Sequence, residues 1–300
     1  MKRIISLNRN KIEFPKYLLS LLIFGSNGVV ASFIALSSQE IVFLRCLIGI
    51  VFLTALFVIS RHRFTFLNHK KDLLFITLSG ISMAIEWLLL FEAYKRLGVG
   101  LGMLINYTGP IIVVALTPIL FKEKITPKKI IALAITFVGT LLISSNVLET
   151  GIEATGLICA ILSAFFYASM VLFNKKSEHV KGMENSVIQL FICTLVVVSY
   201  VYLKQGLDIN IKQSDIIPII WLGAINTGFC CFLYFSSMTR LPVQTVAICG
   251  YLEPVSAVVF SYFVLAERMT HTQILGALLI ILGAIYCEYR KRVVIDKTKF

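Results

Sequence analysis

FEAYKRLGVGLGMLINYTGPIIVVALTPILFKEKIT (residues 91–126) lies over FSSMTRLPVQTVAICGYLEPVSAVVFSYFVLAERMT (residues 235–270) without a gap, at an offset of 144. Phe91/Phe235, Arg96/Arg240, Leu97/Leu241, Val99/Val243, Tyr107/Tyr251, Pro110/Pro254, Val114/Val258, Glu123/Glu267 and Thr126/Thr270 are identical, and so, further on, are Ile130/Ile274 and Gly139/Gly283. Shared Leu and Val mean little between two apolar segments, but aligned Arg, Tyr, Pro, Glu and Gly mark an internal repeat. Each copy places a proline in the middle of a run long enough to cross a membrane. The second copy adds a carboxylate, Glu253, beside it, where the first has Gly109.

Working outward, 58% hydrophobic residues, 15% charged residues and a mean hydropathy of +0.87 exclude an ordinary soluble globule, whose charged share is near a quarter. The formal net charge of +12 does not point to nucleic acid, because the Lys and Arg residues fall in short clusters between apolar runs. Six of the seven cysteines lie inside those runs and Cys287 ends the last, with no metal-ligand spacing, so free thiols, no metal site and no cofactor are expected. The basic start followed by apolar residues from Tyr17 reads as a first anchor, not a cleaved leader.

A membrane-crossing helix needs about 20 apolar residues. Runs of that kind are expected at 17–36, 41–60, 72–94, 98–121, 128–147, 155–174, 185–203, 214–238, 242–265 and 272–289. With the amino terminus inside, the inner segments hold 22 basic residues and the outer ones 5, the bias of a ten-span chain with both termini cytoplasmic. The fold class expected is therefore all-α integral membrane protein, in a bacterial inner membrane. Five spans per copy, 1–150 and 151–300, reverse the second copy, and inverted repeats are the architecture of many secondary transporters.

FKEKIT and AERMT, each following a mid-span proline and followed by Gly139, Gly276 and Gly283, resemble the paired signature of EamA-type transporters in the drug/metabolite transporter superfamily. The resemblance covers nearly the whole chain; Ala132 departs from it where the second copy has Gly276. It implies a ten-helix bundle whose central cavity is lined mainly by spans 1, 3, 4, 6, 8 and 9. It also implies transport of small organic solutes, commonly export, with no single substrate.

Polar residues within spans are the candidates for a transport path, since they are costly in lipid and turn toward the bundle interior. Ser79, Ser82, Glu86 and Ala93 form one stripe, which the offset maps to Gly223, Asn226, Cys230 and Ser237. The stripes read as cavity walls or as close helix packing. Glu86 and Glu253 are candidate proton-coupling groups, or carboxyls bonded between helices. Asn27, Trp87, Asn106, Tyr107, Tyr167, Tyr234 and Tyr251 complete the candidate lining, a mixture of rings and amides suited to amphipathic solutes. Arg45 and Glu92 are expected at similar depth and are read as a pair that fixes span 2 on span 3 or gates the outer end; Arg45 alone would be a substrate anchor. Pro110 and Pro254 belong to the architecture, and Glu123 and Glu267 to the turns before Thr126-Pro127 and Thr270, where Thr caps and Pro opens a helix.

The sequence lacks GxxxxGK[ST] and HExxH motifs, and its four histidines lie in loops. A secondary transporter moving a small-molecule substrate is the leading expectation, with the lipid bilayer as the other partner. An intramembrane enzyme using Glu86 or Glu253, or a membrane sensor or scaffold, stays open.

Overall fold

Apolar runs of this length leave backbone N–H and C=O groups with no water to bond, so each must close its hydrogen bonds within itself, as a helix does. A computed structural model describes residues 2–97, 99–143, 153–206, 209–266 and 269–288. Among them are helices and no strand. The helices are α1 (Lys2–Gly25), α2 (Asn27–Ser32), α3 (Ser38–Ile59), α4 (Lys70–Leu97), α5 (Val99–Asn106), α6 (Gly109–Phe121) and α7 (Pro127–Ile143). They continue as α8 (Ala154–Lys175), α9 (Met183–Gln205), α10 (Ile216–Gly223), α11 (Cys230–Met238), α12 (Val243–Cys249), α13 (Leu252–Val264) and α14 (His271–Glu288).

Among the described residues, eight segments are long and apolar enough to cross a membrane: Ile12–Ser32, Ser38–Ile59, Lys70–Leu97, Leu101–Phe121, Ala154–Lys175, Met183–Gln205, Gln213–Met238 and Val243–Val264. The other two expected spans correspond to α7, of 17 residues, and α14, of 18. The first span begins earlier than expected, because α1 runs through Pro15 instead of starting after it.

Besides the first, which is interrupted at Ser26 between α1 and α2, three of these spans are broken in the middle. In the fourth, Pro110 has no N–H for the Asn106 carbonyl, and the Ile111 amide turns to the Thr108 carbonyl (3.0 Å), which frees the carbonyl of Tyr107. Pro254 does the same to the span formed by α12 and α13, where the Tyr251 amide bonds Ile248. The two breaks touch: the Tyr251 hydroxyl donates to the freed Tyr107 carbonyl at 2.7 Å. The third departs from the uninterrupted helix expected at 214–238. There α10 widens into a π-helical turn over Ala224–Phe229 before α11, and the Thr227 hydroxyl donates to the Leu222 carbonyl at 2.8 Å.

Packing follows the small residues. α4 packs on α8 and α9, α3 on α9 and the π turn, α1 on α11 and α13, α6 on α8 and α12, and α7 on α14. The last crossing is backbone on backbone: a Cβ at Gly139 would lie 2.6 Å from the Gly276 carbonyl oxygen, and one at Gly276 2.5 Å from that of Gly139. Capping fits the local chemistry. Ser37 and Glu40 form a reciprocal capping box on α3, and Thr270 and Gln273 do the same on α14.

Gly139→Leu should therefore destabilise the protein by about 1–3 kcal/mol, as overpacking does. Gly28→Ala, whose Cβ meets nothing within 4 Å, should leave stability unchanged. Thermal unfolding of the purified variants in one detergent compares them.

Candidate functional site

Glu86 and Trp87 are neighbours on α4 and so point about 100° apart around the helix, toward different partners. Glu86, only 4% exposed, accepts from the Asn106 side-chain amide on α5 at 3.4 Å. Ser163 on α8 shares its hydroxyl proton between the Asn106 side-chain carbonyl (3.2 Å) and the Ala160 carbonyl (2.7 Å). Trp87 turns toward α3, where the Arg45 guanidinium stacks 4.4 Å above its ring. Arg45 Nε donates to Thr227 Oγ1 at 2.9 Å, so the π turn holds the arginine from the other side.

Arg45, Glu86, Trp87 and Asn106 line a cavity of about 790 Å³ between the helices, with Ser163 and Thr227 behind them. Its wall includes Asn27, Arg45, Glu86, Trp87, Asn106, Tyr107, Pro110, Tyr167, Tyr234, Glu253 and Pro254. Among the described residues no hydrogen bond or ion pair engages the Glu253 carboxylate, which stands in the first turn of α13. One guanidinium and two carboxyls thus face a space otherwise walled by rings, amides and aliphatic side chains, with Lys95 among the lining residues.

The two ends of the cavity differ. One end is lined by Leu36, Ser38, Lys95, Leu265, Met269 and Gln273, at or near connections between helices. Toward the other end Tyr17 and Tyr234 bring their rings to 5.3 Å, and the Tyr17 hydroxyl donates to the Val246 carbonyl at 2.8 Å. Below them Lys175 donates to the carbonyls of Met238 and Leu241 as they emerge from α11. Arg240 pairs with Glu13 at 2.7 Å. Further ties close this end: Asp72 accepts from the amides of His179 (2.6 Å) and Val180 (3.0 Å), and Glu184 from those of Thr65 (2.6 Å) and Phe66 (2.8 Å).

The expected pair Arg45–Glu92 is not formed. Glu92 meets Arg96 one turn along α4, at 2.7 Å, and Arg96 also bridges to Glu153. Spacing i,i+4 brings Glu92 and Arg96 together within one helix, whereas Arg45 faces Trp87 and the π turn. Ser82 bonds the Leu78 carbonyl, and Asn226 holds Ile23 and Ser26 at the α1–α2 junction. The Cys230 thiol bonds the Ser20 carbonyl, and Tyr251 bonds Tyr107; these four lie off the cavity wall, Ser82 bonded within α4 and the other three across helix contacts. Glu123 lies in the connection before α7, which Pro127 opens. Glu267 lies outside the described residues. Sequence reasoning did not single out Thr227, Lys175, Tyr17 or Glu13. Gly223 and Gly228 flanking Thr227 were the available sign of an irregular helix.

Residues 16–145 and 154–287 match the EamA-like transporter family. The chain belongs to that family. It is a multi-pass membrane protein, and the transporters it is similar to include YxxF of Bacillus subtilis (strain 168), an uncharacterized transporter 27% identical over 282 residues, which cover 93% of this chain and 90% of that one. A probable amino-acid metabolite efflux pump of Salmonella typhimurium (strain LT2) is 26% identical over 210 residues, covering 66% of this chain and 70% of the pump. One solved crystal structure shares the fold with a TM-score of 0.78 at 15% identity, over 92% of this chain and 97% of that chain. In this EamA-like chain, the two helices flanking the freed Tyr107 carbonyl contribute Asn106 and Pro110 to the cavity wall.

Replacing Thr227 by Val removes the Arg45 acceptor while keeping the volume. The expected loss is about 1.5–3 kcal/mol, the range for a hydrogen bond to a charged group. It should come with a change in Trp87 fluorescence as the guanidinium shifts, read against Trp221, which is 54% exposed.

Proposed function

We propose that the chain is a secondary active transporter exporting small organic solutes, amino acids or related metabolites and amphipathic compounds among them, by alternating access of two inverted five-helix repeats, 1–150 and 151–300. The observation that carries the reading is the central cavity, lined by helix connections at one end and shut at the other by the Tyr17–Tyr234 and Lys175 layers. A binding space closed on one side only is one half of an alternating-access cycle. The contact pattern supports the inverted relation. Gly139 meets Gly276, and the positions that the offset of 144 gives, Gly283 and Ala132, meet as well, with a Cβ at Gly283 3.1 Å from the Ala132 carbonyl oxygen. Contacts that recur when the copies are exchanged are what a pseudo-two-fold axis produces.

The name of the Salmonella typhimurium relative supports export and an amino-acid-like cargo. The distribution of basic loops supports both termini being cytoplasmic, which makes the open end of the cavity the outer one, and the bacterial relatives support a bacterial inner membrane location. Glu86 and Glu253 are the groups that exchange protons during the cycle, since both face the cavity and neither is held by a basic partner among the described residues. The same surroundings weigh against an intramembrane enzyme: beside Glu86 stands the Asn106 amide, which cannot serve as an acid or base.

Purified protein in liposomes tests the reading through efflux of preloaded amino acids and amphipathic amines. Glu86→Gln and Glu253→Gln should each lower flux driven by a pH gradient by about tenfold or more, as loss of a general acid–base group does. Normal gradient-driven flux in both variants would remove the carboxyls from coupling. For orientation, a cysteine at Ser38 should react with a membrane-impermeant reagent from the outside and one at Arg63 only from the inside, in a background without the seven native cysteines.

A further inference from the structure

The geometry points to Arg45 as the anchor for a carboxylate on the transported solute, so that the cavity selects zwitterions: small α-amino-acid-like molecules with an apolar body. The inference rests on the transport reading and adds the chemistry by which the site chooses its cargo.

A guanidinium offers five N–H donors in a rigid plane. In Arg45 one of them, on Nε, is taken by Thr227, and one face is covered by Trp87. No carboxylate lies within 4.0 Å of it among the described residues, although the residue is only 4% exposed and lines the cavity. What remains is the Nη edge. A fork held from behind and stacked on a ring has lost its rotamer freedom before a ligand arrives, and its two parallel N–H groups match the two oxygens of a carboxylate. A buried cation without a paired anion is costly, and a ligand anion relieves that cost.

The rest of the wall fixes the other end of the solute. Glu86 and Glu253 are the acceptors for an ammonium, and they reach the cavity from α4 and α13 while Arg45 reaches it from α3. An amine without a carboxylate leaves Arg45 uncompensated. A dicarboxylate meets two negative side chains. Only a molecule with both charges satisfies both, and the rings of Trp87 and Tyr167 take its apolar body.

Leucine, leucinamide and 4-methylpentanoate share one body and differ only in these two charges. Binding of each to purified protein, wild type and variants, is measured in detergent and followed by counterflow in liposomes. Wild type should bind leucine about tenfold or more tightly over either analogue. Arg45→Gln should weaken leucine about 30-fold, the scale of losing a buried charged partner, and leave leucinamide unchanged. Arg45→Lys, which keeps the charge and loses the fork, should fall between. Equal binding of leucine and leucinamide by wild type overturns the anchor without any variant, so a misfolded Arg45→Gln does not shield it. An Arg45→Gln protein that weakens all three alike also overturns it. If wild type binds none of the three, the anchor is overturned, whereas efflux of the preloaded amphipathic amines decides the transport reading separately.

Discussion

Inside a bilayer no backbone carbonyl can be left to water, and this bundle contains proline breaks that leave carbonyls without their helical partner. The hydrogen bond from the Tyr251 hydroxyl to the Tyr107 carbonyl answers that constraint. It joins the broken span of one half to the broken span of the other at positions that the sequence aligns with each other. Around it the helix directions change, and the space between them becomes the cavity. The prolines thus do more than kink two helices: the break at Pro110 frees the acceptor that ties the two broken spans together, and both prolines stand on the cavity wall.

Much of this was legible in the residues. Tyr107/Tyr251 and Pro110/Pro254 recur at a fixed offset, so the broken spans could be located, and the apolar runs marked most helices to within a few residues. The π turn was only hinted at, by Asn226, Thr227 and Gly228 inside an otherwise apolar span, because such residues also occur in regular helices; in the fold the turn packs against α3. The fate of Arg45 was hidden. Depth along a span can be estimated from sequence, but which way around the helix a long side chain turns is settled by neighbours from distant parts of the chain. Glu92 shows the converse error: a local partner at i+4 outcompeted the long-range one that depth alone suggested.

The site separates two kinds of polar residue that look alike in sequence. Ser82 shares a polar stripe with Glu86, and Asn226 and Cys230 share the one that the offset of 144 maps onto it; each bonds a backbone carbonyl, Ser82 within α4 and the other two across to α1. Glu86, Arg45 and Glu253 turn into the cavity instead. Short side chains reach only the nearest carbonyl, so they pack helices; long ones extend past the interface into open space. Side-chain length, more than polarity, sorts the stripe into glue and wall.

The latch at the closed end has its own consequence. Lys175 is held by the carbonyl oxygens of Met238 and Leu241, and by no carboxylate within ion-pair distance among the described residues. The attraction of a charge for a dipole falls off more steeply with distance than that of two opposite charges. A separation of an ångström or two therefore costs this hold a larger share of its strength than it would cost an ion pair. The end that is shut here therefore combines two reaches, the short-range hold on Lys175 and the longer-range pull of the Arg240–Glu13 ion pair.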